Sequence, residues 1–245
     1  MEFYNNQEVV KTVNPIKDHS VALSMTKVYL YFALGLILTG IAALAFPYIA
    51  VAIGGSGEAG MNIYTGGIIT SAILLFPLSL VVGFHAMSQK SGWITTCYCL
   101  YSLAMGVLLS SCFMMFDIND IFYAFFITAG TFLVMSLIGY FSKGRMSTLM
   151  TVISGLSMGT LVMCLVNMFF FNSMVYWISS LGMMLVMVLF VAFDTNRVKN
   201  FAQSRMFSNS NSMAVFCAYT LYTDFITIFL YILRFVAIFM ANKDN

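Results

Sequence analysis

The stretch Tyr219-Thr-Leu-Tyr-Thr-Asp-Phe-Ile-Thr-Ile-Phe-Leu-Tyr-Ile-Leu-Arg234 decides how this chain is read. It lies in the last strongly apolar segment, yet it carries Thr220, Asp224, Thr227, Tyr231 and Arg234. These recur at steps of four, three, four and three, so on a helix they form one polar stripe. A charge at the centre of a bilayer costs about 2.5–3.5 kcal/mol on the insertion scale. The stripe is therefore expected to face protein or trapped water rather than lipid.

Composition supports a membrane reading. Of 245 residues, 61% are hydrophobic and 8% charged, against about 25% charged in a typical soluble domain. A water-exposed surface cannot be built from this chain. The formal charge of +2 comes from short basic clusters at loop ends, which excludes nucleic acid as a partner and leaves the lipid bilayer. Five cysteines, Cys97, Cys99, Cys112, Cys164 and Cys217, fall in or beside apolar segments without metal-ligand spacing. They are read as packing residues.

Seven apolar runs have the length a helix needs to cross about 30 Å of hydrocarbon. They cover about 25–49, 63–84, 93–116, 121–141, 149–170, 174–193 and 213–239. This is an all-α integral membrane protein with seven transmembrane helices. Residues 1–23 read as a polar N-terminal tail with an interfacial turn near Ser20, and 241–245 as a short C-terminal tail. The run Gly54–Gly60 reads as a flexible linker, since it lacks the Lys-Ser/Thr of a phosphate loop. Pro77 is expected to kink the second span by freeing the Ile73 carbonyl, which Ser71 or Ser79 could help satisfy. His85 at a span end reads as solvated, and Asp117 and Asp120 as turn formers. Gly35 with Thr39, and Gly155 with Gly159, have the spacing of close-packing faces.

Nine of the eleven basic residues (Lys11, Lys17, Lys27, Lys90, Lys143, Arg145, Arg197, Lys199 and Arg205) fall on one side of a seven-span arrangement. The positive-inside rule places that side, and the N-terminus, in the cytoplasm. A broken last segment would return Lys243 to the same side.

Two acids stand where burial makes them costly. Asp194 lies at the cytoplasmic end of the sixth span and Asp224 a third to a half of the way along the seventh. Antiparallel neighbours in sequence, the two spans put both acids in the cytoplasmic half. Carboxylates sharing a hydrogen bond titrate as one unit, a natural pH-responsive latch. The plainer readings are a solvated helix end for Asp194, free or paired with Arg197, and a structural hydrogen bond for Asp224. Arg234 lies ten residues beyond Asp224, about 15 Å along a helix, and is expected to snorkel to the outer interface. An intramembrane aspartyl protease would need Gly-x-Gly-Asp. Phe193 precedes Asp194 and Thr223 precedes Asp224, so no enzyme is expected.

The run Ala192-Phe-Asp-Thr-Asn-Arg-Val-Lys199, with Thr220-Leu-Tyr-Thr-Asp-Phe onward to Arg234, resembles the C-terminal signature of the Bax inhibitor-1 family, bacterial branch. The similarity extends to Tyr101–Ser111, Thr128-Ala-Gly130 and Ser136–Tyr140. The resemblance implies a last helix wrapped by the other six. It also implies a di-aspartyl pH sensor and ion pathway made by Asp194 and Asp224, with Thr220, Thr227, Tyr231 and Arg197 in support. The implied function is a pH-sensitive passive leak of calcium or other cations, with no cofactor or resident metal, in a bacterial inner membrane. The alternative is a non-conducting regulator of a membrane protease or of a stress or cell-death response, acting through helix packing. One departure stands out: the family's second-helix acid and latching arginine have no counterpart in Ile63–Phe84, which holds no Arg, Lys, Asp or Glu.

Overall fold

The computed structural model describes the backbone of residues 6–84, 91–142, 146–203 and 211–241, and side chains within 24–84, 92–142, 148–202 and 211–238. Over those residues the chain is helical, with no strand. The elements are α1 (Asn6–Gly54), α2 (Glu58–Phe84), α3 (Ser91–Leu109), α4 (Cys112–Met115), α5 (Ile118–Phe141), α6 (Met146–Phe170), α7 (Ser173–Gln203) and α8 (Asn211–Ala241). Seven helical segments are long and apolar enough to cross a membrane, α3 and α4 together forming the third. Helices satisfy their own backbone groups, which is why such runs fold this way where water is absent.

Several boundaries differ from the sequence reading, each for a local reason. The polar residues 6–23 continue into α1 without an interfacial turn at Ser20. The expected glycine linker is a tight turn at 55–57. Gly55 adopts φ +75°, and a Cβ on Gly60 would collide with the Gly55 carbonyl. The third span breaks at Ser110–Ser111, whose hydroxyls donate back to the Val107 (2.6 Å) and Leu108 (2.8 Å) carbonyls and compete with the helix. In α2, Ser71 and Ser79 donate to Ile68 and Phe76 rather than to Ile73. The last segment is unbroken over 31 residues. His85, Lys90, Lys143, Arg145, Arg205, Lys243 and the side chains of residues 1–23 lie outside the described residues.

Helix α8 is the centre. It packs chiefly against α1, α5 and α7, less against α3, and only lightly against α2. Helix α6 leans instead on α7, with Gly182 against Thr160. Leu221, Tyr222, Ile228 and Leu233 of α8 are essentially inaccessible. Helices α1, α3 and α8 are joined at one depth. Gly35 leaves room for the Tyr98 hydroxyl, and Gly106 sits against the Thr39 backbone. The Thr39 hydroxyl reaches the Tyr222 hydroxyl at 2.6 Å. The Gly35–Thr39 face thus packs closely. Gly155 and Gly159 do not, since a Cβ on either would meet nothing within 4 Å. All five cysteines are free, with Cys97 buried and Cys99 half-buried.

Candidate functional site

The segment Asp194–Lys199 was open to reading as a helix end at the water interface. The structure corrects this. Helix α7 continues to Gln203, and Asp194, Thr195 and Asn196 are buried. The reason is the end of α5. Its last carbonyls have no partner within their own helix, and α7 supplies donors to them. Asn196 Nδ2 donates to the Gly139 (3.0 Å) and Ser142 (3.2 Å) carbonyls, and Lys199 Nζ to Tyr140 (2.7 Å). Asn200 Nδ2 holds the other side of the Asn196 carboxamide at 3.0 Å. Gly139 lets the helices close, because a Cβ there would strike the Ala192 carbonyl. Thr195 bonds Ser136 at 3.1 Å, and Ser136 bonds Tyr29 of α1 at 2.7 Å.

That stapling places Asp194 against the central helix. Its carboxyl group meets that of Asp224 side chain to side chain. Asp224 Oδ2 is buried and has no hydrogen-bond partner among the described residues. Two carboxyl groups can share a hydrogen bond only when a proton lies between them, because an ionised carboxylate is acceptor-only. Arg197 is near enough to act on Asp194 electrostatically. It is nevertheless exposed, lies 5.3 Å from the Phe201 ring centroid, and makes no ion pair among the described residues.

The rest of the stripe is placed less as expected. Thr220 and Thr227 donate to the carbonyls of Phe216 (3.1 Å) and Thr223 (2.8 Å) in their own helix, not to the aspartates. Tyr231 lies two turns beyond Asp224, in a separate cavity with Arg234. The stripe is half-buried throughout, while the apolar face of α8 is buried. It lines a seam on the α7 side instead of facing the core. Among the described residues no group of three His, Cys, Asp or Glu could hold a metal ion. Thr195, Asn196, Ser136 and Tyr29 were missed as positioning residues; the spacing of Asn196 and Asn200 one turn apart was the available signal.

A family model described as inhibitor of apoptosis-promoting Bax1 matches residues 21–243. The chain belongs to the Bax inhibitor-1 family. Its relatives include inner membrane protein YbhL of Escherichia coli K12, 31% identical over 86% of this chain and 89% of that one. An uncharacterized protein of Borreliella burgdorferi is 36% identical over 71% and 77% of the two chains. Another, RP147 of Rickettsia prowazekii, is 28% identical over 95% and 97%. Within this Bax inhibitor-1 member, α2 brings no charged residue between Ile63 and Phe84. Its buried Tyr64 instead brings its hydroxyl within 3.2 Å of that of Ser110.

Proposed function

We propose that this protein is a pH-sensitive passive leak for calcium or other cations, gated by Asp194 and Asp224. The observation that carries the reading is the meeting of the two carboxyl groups against the central helix, with Asp224 Oδ2 buried and unpartnered. With a shared proton the pair holds α7 and α8 together. Without it, two charges 4 Å apart repel by about 4 kcal/mol at an effective dielectric near 20. A cation entering the half-buried seam offsets that repulsion. Protonation favours one packing of α8 on α7 and deprotonation another. The basic residues favour a cytoplasmic N-terminus, and the inner membrane relative supports the same membrane here.

The test is purified protein in liposomes loaded with a calcium dye, stepped from pH 8 to 6, beside Asp194→Asn and Asp224→Asn. Wild type is expected to change its flux across the step, and both variants to lose that change. Flux equal to that of empty liposomes at every pH removes the leak. That result would favour a second reading, a non-conducting regulator of a membrane protease or stress response. The observation on its side is α2, which offers the aspartates no charged latch.

A further inference from the structure

The end of α8 remote from the aspartates leaves a cation facing a cavity. Arg234 is half-buried, two turns before α8 ends at Ala241. Its guanidinium lies 4.4 Å from the Tyr176 ring centroid, and it has no ion pair or hydrogen bond among the described residues. It lines a cavity of about 410 Å³ between α6, α7 and α8, together with Tyr231, Asn167, Ser179 and Ser180.

Among the described residues the lining is rich in donors and holds no acid. The Ser179 hydroxyl is committed to the Tyr176 carbonyl at 2.9 Å. Asn167 uses its Oδ1 to accept from the Asn172 amide at 2.8 Å, which leaves its NH2 to donate. Tyr231 and Ser180 make no hydrogen bond among the described residues. Arginine's planar fork matches the oxygens of a phosphate, and the neighbouring hydroxyls and carboxamide suit those the fork leaves over. The remaining wall, including Met168, Phe171 and Met183, is apolar, and the volume far exceeds a bare phosphate. A ligand that is phosphate at one point and hydrocarbon elsewhere fits this lining. The cavity lies toward the ends of α6 and α8 and the start of α7, the part of a span that approaches the headgroup layer. With no acid to receive an ammonium headgroup, the site favours net-negative lipid.

We propose that the cavity between α6, α7 and α8 is a binding site for the phosphodiester of an anionic membrane phospholipid, with Arg234 as its charge partner. This does not rest on the leak reading. A lipid seated here would tie α6 to α8, which otherwise meet mainly through α7.

Trp177 provides a local reporter, 5.6 Å from the Phe235 ring and next in sequence to Tyr176. The only other tryptophan, Trp93, is in α3. Full-length protein carrying Trp93→Phe is reconstituted in vesicles with brominated phosphatidylglycerol or brominated phosphatidylcholine, and quenching of Trp177 is measured. Phosphatidylglycerol is expected to bind about tenfold more tightly, the scale of one charge-assisted hydrogen bond. Adding Arg234→Gln should bring the preference close to one, and Arg234→Lys should keep part of it. Ser180→Val, which leaves the guanidinium in place, should lower it by a smaller factor. Equal quenching by the two lipids with Arg234 present overturns the proposal, whether or not Arg234→Gln folds. So does a preference that Arg234→Gln leaves unchanged. Inorganic phosphate is added to the lipid-free protein in detergent as a separate arm. A saturable change in Trp177 emission, lost in Arg234→Gln, would assign the site to free phosphate and overturn the lipid; no response supports it.

Discussion

One face of α8 presents Leu221, Tyr222, Ile228 and Leu233 with almost no accessible surface, while the face carrying Thr220, Asp224, Thr227, Tyr231 and Arg234 is half-buried along its length. The first is knitted to α1, α3 and α5 by rings and hydroxyls. Tyr222 lies edge-on to Tyr98 at 5.9 Å and to Tyr101 at 6.1 Å, and Phe225 meets Phe32, Phe125 and Phe132. The second satisfies its threonines within its own helix and leaves Asp224 Oδ2 and Arg234 without a hydrogen bond or ion pair among the described residues. In a membrane, where burying an apolar side chain gains little over lipid, close packing and hydrogen bonds hold helices together. The knitted face carries stability, and the seam has few bonds to neighbouring helices that would resist a change.

The largest expected effect therefore falls on the knitted face. Tyr222→Ala removes a fully buried ring together with the bond to Thr39. It should cost about 3–5 kcal/mol, the range for large aromatic truncations. Unfolding by sodium dodecyl sulfate in mixed micelles reads this directly. A loss below about 1 kcal/mol, the scale of an ordinary substitution, would mean that α8 is not anchored there.

A smaller loss is expected where α7 caps α5. Asn196→Ala deletes hydrogen bonds to the buried Gly139 and the half-buried Ser142 carbonyls and leaves acceptors unsatisfied, about 1–3 kcal/mol by the usual cost of such groups. Because those bonds fix the height of Asp194, any pH response of flux under the proposed leak should weaken with it. Asn200→Ala, which removes only a support of Asn196, should do less on both measures. Reversal of that order would detach the cap from the aspartate pair.

These two sites also show what the chain discloses of itself. Asp224 is conspicuous in the sequence because an acid inside a twenty-residue apolar run is costly against lipid and calls for protein or water opposite it. The seven spans are legible by the same arithmetic of length and polarity. The depth of Asp194 is not, because Asp-Thr-Asn-Arg has the composition of a helix end. Its burial depends on carbonyls of α5 more than fifty residues away in sequence. The Thr39–Tyr222 bond spans 183 residues, and no local pattern encodes it. Small-residue spacing marks a true close approach at Gly35 and an open surface at Gly155 and Gly159. The spacing records what could pack, while the partner decides whether it does. The helical stripe on α8 was periodic as read, but periodicity alone does not say which neighbour each residue meets. Tyr231 and Arg234 belong to the α6–α7 cavity, apart from the acids.

The smallest expected change in stability tests the seam. Thr227 is half-buried, and its hydroxyl donates to the Thr223 carbonyl at 2.8 Å. Thr227→Val keeps the branched shape and removes only that back-bond, so the backbone hydrogen bonds of α8 are undisturbed. The unfolding midpoint should move by no more than about 0.5 kcal/mol, as for surface sites without special features. Under the proposed leak, calcium flux should respond differently. A hydroxyl in the seam can exchange its helix carbonyl for a passing hydrated cation, and a methyl group in its place cannot. Reduced flux at unchanged stability would assign the proposed leak to this face and the anchoring to the other. If Thr227→Val instead destabilises as much as Asn196→Ala, the two faces of α8 do not divide the work between them.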